Sequence, residues 1–235
     1  MLIAGLQKMT LLDFPGRVAC TVFLGGCNFR CPFCHNSQLL SAPEAVMQEQ
    51  ELLAFLQKRK GLLDGVCVTG GEPTLQPGLP KFLEAIRAMG YQVKLDTNGY
   101  RPDVLRGLID AGLVDYVAMD IKNGPEHYAP TCGLERMDLK KIEESVSVLL
   151  EGRVDYELRT TVVRPIHDAQ SIAAMAKWVK NLSETPVKRW FLQPFVDRET
   201  VVFAGFSAPE KEELCRFAQL LSAAAEQVSV RGSDE

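Results

Sequence analysis

The residues with the most chemical character lie in one stretch, Gly26-Cys27-Asn28-Phe29-Arg30-Cys31-Pro32-Phe33-Cys34-His35-Asn36. Its three cysteines form a C-x3-C-x2-C pattern just after an apolar run, Val18 to Leu24. Three thiolates on one loop can hold a soft metal centre but leave one coordination corner without a protein ligand. A structural site would normally bring four ligands. The pattern therefore points to chemistry at an open corner. A Cys3His zinc site using His35 is the alternative, although adjacent Cys34 and His35 would point apart on an extended loop. His35 is then better placed beside a metal centre than on it.

The rest of the chain must position that loop. At 235 residues, with 46% hydrophobic and 24% charged, it has the length and composition of a single soluble α/β domain. We expect one domain over 1–235, with a core from about 13 to 230 and a disordered tail at 231–235. The net charge of -4 gives no footprint for nucleic acid. No apolar run approaches the ~18 residues of a membrane span, and Met1 to Arg17 has no secretory pattern. The chain reads as cytoplasmic. Its seven cysteines, an odd number, suit a reducing compartment better than a disulfide framework. Cys20, Cys67 and Cys215 sit in apolar patterns and read as small buried hydrophobes. Cys132 lies in a loop with no assigned role.

Apolar strand-like runs alternate with helical stripes. Strands are expected at Val18 to Leu24, Gly65 to Thr69, Tyr91 to Leu95, Tyr116 to Ile121, Tyr156 to Val163 and Arg189 to Leu192. Leu79, Phe82, Leu83, Ile86 and Met89 form an amphipathic helix. Asp168 is the expected N-cap of the helix carrying Ile172, Met175 and Val179. A short final strand is expected at Val228 to Val230. Such alternation implies a parallel sheet of right-handed crossovers, with sites gathered at the carboxyl ends of the strands.

The polar residues fall at those ends. Gly70-Gly71-Glu72-Pro73 follows the second strand, and its glycines permit close backbone approach. Asp96-Thr97-Asn98-Gly99 ends the third, where Asn-Gly by itself signals a turn. Asp120 and Lys122, two apart on a strand, share a face and form at least an ion pair. Arg159 lies on the fifth strand, Arg164 near its end, and Gln193-Pro194-Phe195 ends the sixth.

The cysteine loop, with Phe33 before the last cysteine, resembles the cluster motif of the radical S-adenosylmethionine (SAM) superfamily. The resemblance implies a partial TIM-type (β/α)6 barrel and a [4Fe–4S] cluster on Cys27, Cys31 and Cys34, with SAM at the fourth iron. It implies that Gly70, Gly71 and Glu72 bind the methionyl ammonium of SAM. By the same analogy Phe33, His35, Asp96, Asn98 and Lys122 line the cofactor, and Asp96, Thr97, Ala118 and Asp120 hold a monovalent cation. Cys-x3-Cys-x2-Cys-His-Asn and Leu12-Asp13-Phe14-Pro15-Gly16-Arg17 are similar to the glycyl radical enzyme activases. That family includes activators of pyruvate formate-lyase and of anaerobic ribonucleoside-triphosphate reductase, and the Leu11 to Gly16 version is most similar to the latter branch. Phe14 stands where the family has glycine. Val196 stands where some members carry a SAM-contacting histidine.

The resemblance implies an enzyme that reductively cleaves SAM to a 5′-deoxyadenosyl radical. The radical then abstracts a glycine Cα hydrogen from a partner protein, anaerobic ribonucleotide reductase being the expected one. A ferredoxin or flavodoxin would supply the electron. Asp13, Arg159 and Arg164 are candidates to guide the partner's glycine loop. Two alternatives stand: a radical SAM enzyme acting on a small molecule, such as a deazapurine synthase, and a non-enzymatic zinc or Fe–S module.

Overall fold

The computed structural model describes residues 1–41 and 44–232. Eight strands join in one sheet in chain order: β1 (Ile3–Thr10), β2 (Ala19–Leu24), β3 (Gly65–Gly70), β4 (Gln92–Thr97), β5 (Tyr116–Asp120), β6 (Asp155–Val162), β7 (Val187–Pro194) and β8 (Ala225–Val230). The helices between them are α1 (Glu49–Lys58), α2 (Leu79–Ala88), α3 (Pro102–Asp110), α4 (Pro125–Thr131), α5 (Leu139–Leu150), α6 (Ala169–Lys180) and α7 (Lys211–Leu221). The expected α/β class and largely parallel sheet are borne out. The chain divides into two compact units, one of Met1–Asn28, Gln38–Ala118 and Arg153–Asp155, the other of Phe29–Ser37, Met119–Gly152 and Tyr156–Glu235.

In the first unit β2, β3 and β4 run parallel, with Val22 beside Val68 and Val68 beside Leu95. Strands β2 and β3 are nearly continuous apolar runs, as strands covered on both faces are, whereas β4 alternates apolar Val93 and Leu95 with polar residues. Leu79, Phe82, Leu83 and Ile86 of α2 are all buried, as their spacing requires. Strand β1 was not expected. It pairs antiparallel with β2, with register shifts between Ile3 and Gly5 and between Gln7 and Thr10. Phe14 fills a core position with Ala19 and Tyr116. Its ring centroid lies 6.1 Å from that of Tyr116, and a Cβ on Gly65 would meet it at 2.8 Å. The aromatic side chain thus occupies space that the neighbouring glycine leaves open.

In the second unit β6, β7 and β8 are parallel. Ile142, Val146 and Leu149 of α5, Ile172 and Met175 of α6 and Phe217 of α7 form the helical side of its core. Buried Trp190 finds a partner for its ring N–H in Thr160 Oγ1 at 3.0 Å. Cys20 and Cys67 are buried as expected, but Cys215 is exposed on α7, whose apolar stripe runs through Leu214, Phe217 and Leu221 instead. Residues 233–235 of the expected disordered tail lie outside the described residues. Arg231 before them donates its backbone N–H to Leu192 O at 2.9 Å and its guanidinium to Glu157 at 2.6 Å. Among the described residues no helix is long and apolar enough to cross a membrane.

Asp168 caps α6 as expected, accepting from Ser171 N at 2.7 Å while Ser171 Oγ receives Asp168 N–H at 2.9 Å. Replacing Asp168 with Ala should lower unfolding free energy by about 1 kcal/mol. Urea titration should show a lower midpoint at an unchanged slope.

Candidate active site

In the first unit the site is built where β2 and β3 end side by side. Gly70 has φ +121°, and a Cβ there would lie 2.3 Å from Leu24 O. A Cβ on Gly71 would lie 2.0 Å from Gly26 O. Glycine is therefore required for steric reasons at both positions. The close approach lets Gly71 N donate to Leu24 O and Glu72 N to Gly26 O, each at 2.8 Å. Gln76 adds a bond from Nε2 to Gly25 O at 2.8 Å. The turn after β3 is thus sewn to the chain segment that enters the cysteine loop.

Glu72 is fully buried. Its Oε1 accepts from Thr74 N at 3.1 Å, from Thr74 Oγ1, and from Thr97 Oγ1 at 2.8 Å. Its Oε2 accepts from Asn98 N at 2.7 Å. A carboxylate offers about four acceptor sites, so these four donors engage most of its capacity. Burial holds its carboxyl above the usual carboxylate range, against the lowering effect of those donors. The side chain expected at a ligand ammonium instead clamps the 97–98 turn to the Gly-Gly turn.

The clamp continues into the cysteine loop. Asn98 Nδ2 donates to Asn28 Oδ1 at 2.8 Å, and Cys27 Sγ lies 3.9 Å from the same oxygen. Asn28 Nδ2 is buried and has no protein partner. Asn98 Oδ1 in turn accepts from Tyr100 N at 3.0 Å, which fixes the amide's orientation. Asp96 shares its Oδ1 with the ammonium of Lys94, whose side chain is only 1% exposed.

The second unit holds the other half of the loop. Cys31 and Cys34 are half-buried, and Phe33 between them packs with Val163 and Phe195. A hydrogen bond from Cys132 brings the Cys31 thiol down to about 7, with nearby Lys122 assisting and burial opposing. Burial raises Cys34. Buried Cys132 is held against the loop by its backbone, since Arg30 N donates to Cys132 O at 2.8 Å. Gly133, with φ +69°, follows so closely that a Cβ would sit 2.1 Å from Arg30 O.

Asp120 accepts from Lys122 Nζ at 2.9 Å and from Arg159 Nε at 3.0 Å. Burial would lower Lys122, but Asp120 and Cys31 outweigh it and raise the ammonium above its usual value. His167 receives Val163 N–H on Nδ1 at 3.1 Å, which leaves Nε2 as donor to Lys122 O at 2.8 Å. His35 stacks on Phe195, with ring centroids 5.3 Å apart and planes at 17°, and its Nε2 lies 2.7 Å from Val196 O. Val196 therefore presents its backbone carbonyl to His35.

Of the expected site residues, the first unit brings Gly70, Gly71, Glu72, Thr97 and Asn98 into one network with Asn28 and Cys27, while Asp96 meets Lys94 and Cys67. The second gathers Cys31, Lys122, Asp120 and Arg159. Ala118, buried on β5, stands outside these side-chain networks. The three residues expected at a partner protein are engaged within the chain. Asp13 accepts from Thr21 Oγ1, Arg159 binds Asp120, and Arg164 binds Glu213. Lys94 and Cys132 escaped the sequence reading. A lysine two residues before Asp96 on a strand was a visible signal, because i and i+2 share a face.

The donor set fits an iron–sulfur cluster. The second unit offers the thiols of Cys31, which is acidified, and Cys34, and the first offers Cys27 beside a buried amide N–H without a protein partner. It does not fit a further monovalent cation, because Asp96 and Asp120 already carry ammonium or guanidinium partners. Thr97 Oγ1 donates to Glu72 and accepts from Gly99 N at 3.1 Å.

A family model described as the Radical SAM superfamily matches residues 21–179. A Methanocaldococcus jannaschii protein provisionally named glycyl-radical enzyme activating enzyme is 29% identical, covering 98% of this chain and 95% of its own length. The pyruvate formate-lyase-activating enzyme of Clostridium pasteurianum is 29% identical over 77% of this chain and 76% of its own. A 7-carboxy-7-deazaguanine synthase of Koribacter versatilis is 30% identical over 61% of each chain. Among solved structures, a domain of pyruvate-formate lyase-activating enzyme from Bacteroides vulgatus shares the fold, with TM-score 0.56 and 21% identity over 72% of this chain and 99% of that one.

Two stability tests follow from the networks. Glu72→Gln turns an amide N–H donor towards donors and should cost roughly 2 kcal/mol; Gly71→Ala should cost about 3 kcal/mol through backbone displacement. Urea unfolding of each variant measures both. His167 also gives stability a pH dependence. Burial lowers its folded value below the ordinary 6.5, so between the two values the unfolded chain binds more protons. Stability should fall as pH drops below 6.5 through the folded value. Denaturant midpoints at several pH values should flatten in His167→Gln.

Proposed function

The chain belongs to the radical SAM superfamily, and from that membership we propose that it activates a glycyl radical enzyme, with anaerobic ribonucleoside-triphosphate reductase as the target. It is an enzyme whose cofactors are a [4Fe–4S] cluster and SAM. When bound, the cluster would supply one electron to the sulfonium of SAM, breaking its S–C5′ bond to release methionine and a 5′-deoxyadenosyl radical competent to take a hydrogen atom from a glycine Cα. The similarity that covers nearly the full length of both chains carries the choice of activase.

In this proposal Cys27, Cys31 and Cys34 hold the cluster. Gly70 and Gly71 present backbone carbonyls to the SAM ammonium, while Glu72 keeps that turn and the Asp96 to Asn98 turn in fixed relation. Asn28 offers its buried Nδ2–H to the cluster or cofactor. Lys122, kept charged by Asp120, lies on the side of the SAM carboxylate or ribose. Phe33 anchors the loop between Cys31 and Cys34, and His35 orders its exit through Phe195 and Val196. Preorganised dipoles and charges of this kind lose little to reorganisation when the reaction occurs. The electron donor is a ferredoxin or flavodoxin, and the reaction takes place in the cytoplasm.

The test is electron paramagnetic resonance of the reduced, cluster-loaded enzyme mixed anaerobically with SAM and the reductase. A doublet should appear, collapse towards a singlet when the reductase carries Cα-deuterated glycine, and leave deuterium in 5′-deoxyadenosine. Turnover of SAM stimulated by a small purine, with no doublet from any glycyl radical partner, would select the small-molecule reading that the deazaguanine synthase similarity favours.

A further inference from the structure

We infer that Lys94 is the built-in counter-cation of Asp96, so that this centre works without the monovalent metal ion that resemblance to other activases implies. The inference rests on the proposal that Asp96 belongs to the SAM site, and it assigns the charge at that carboxylate to the chain itself.

Lys94 and Asp96 lie two residues apart on β4 and therefore project from the same face. The Lys94 side chain is 1% exposed and that of Asp96 13%. Nζ bonds Oδ1 of Asp96 and lies 3.8 Å from Cys67 Sγ, which is itself 3.8 Å from the same Asp96 oxygen. A lysine so buried requires a counter-charge, because an unpaired ammonium out of water is strongly disfavoured. An ammonium and a potassium ion have the same charge and similar size. Both would seek the same carboxylate lone pairs, and a second cation there would be repelled by the first.

Two of the other expected ion ligands, Thr97 and Asp120, are committed in the same way. The Thr97 hydroxyl gives its proton to Glu72 and accepts Gly99 N–H. In the second unit Asp120 carries both Lys122 and Arg159. Each carboxylate thus meets a cation within its own unit, with Asp96 served from its own strand.

The experiment compares the cluster-loaded, reduced enzyme in potassium, sodium and tetramethylammonium salts at equal ionic strength. SAM cleavage by the unaltered protein should differ by less than about twofold among them, and its apo form should melt at one temperature. Lys94→Met should melt lower in tetramethylammonium and recover saturably with potassium or sodium, because it uncovers the Asp96 carboxylate. A loss of about tenfold in cleavage by the unaltered enzyme in tetramethylammonium, restored saturably by potassium, would overturn the inference. So would a Lys94→Met protein whose melting ignores the cation. If Lys94→Met does not fold, Lys94→Met/Asp96→Asn removes both charges; it should fold and melt independently of the salt, and a potassium-dependent melt would contradict the assignment. Should the loaded enzyme cleave no SAM in any salt, the proposed activase function fails, while the melting curves still decide the role of Lys94.

Discussion

A carboxylate taken wholly out of water organises the first unit's strand ends. Burying Glu72 is tolerable because donors from two turns converge on it: a backbone N–H and a hydroxyl from Thr74, a hydroxyl from Thr97 and a backbone N–H from Asn98. Satisfying the charge therefore fixes the distance between the end of β3 and the end of β4. Asn98 carries that constraint to Asn28, and the contacts of Gly70 and Gly71 with Leu24 and Gly26 hold the end of β2 in the same frame. Buried polar networks of this sort specify one arrangement when every member is satisfied. The buried N–H of Asn28 that the protein leaves unpaired adjoins Cys27, a cysteine expected to hold iron.

The second unit applies the same rule with charges of opposite sign. Lys122 is half-buried beside Asp120, which Arg159 also binds, and the ammonium remains protonated near Cys31. Positive charge and a thiol donor near a sulfur both favour its thiolate, the form that binds iron. His167 holds the Lys122 carbonyl and the Val163 N–H with one tautomer, and burial favours its neutral form. The Gly133 turn holds the Cys132 backbone against Arg30, the residue that precedes Cys31. Charge and steric constraint thus both act on the loop.

Much of this was legible in the sequence. The stripe from Leu79 to Ile86 and the apolar runs of β2 to β5 have unambiguous periods, and the polar clusters sit at strand ends because connections in parallel sheets place them there. The cysteine spacing showed an open coordination corner before any fold was considered. What escaped has physical causes. Strand β1 lacks a clean alternation and carries register shifts, so it gives no period-two signal. Helix α4 is a seven-residue segment with an internal proline, too short for a stripe. The internal use of Glu72 was hidden because its partners include backbone N–H groups, which every sequence has, and a hydroxyl 25 positions away. Asp13, Arg159 and Arg164 looked like surface charges available to a partner; only three-dimensional pairing reveals Thr21, Asp120 and Glu213. Cys215 shows the limit of composition, for the same residue type is buried on β2 and exposed on α7.

The central claim is that these strand-end networks serve a three-cysteine cluster loop that acts on SAM. The most direct measurement is product analysis of the anaerobically reconstituted, fully cluster-loaded and chemically reduced protein after addition of SAM. The account predicts 5′-deoxyadenosine and methionine in equal amounts, with neither formed when any one of Cys27, Cys31 and Cys34 is replaced by Ala. Complete cluster loading and reduction with intact SAM at the end of the incubation would contradict it.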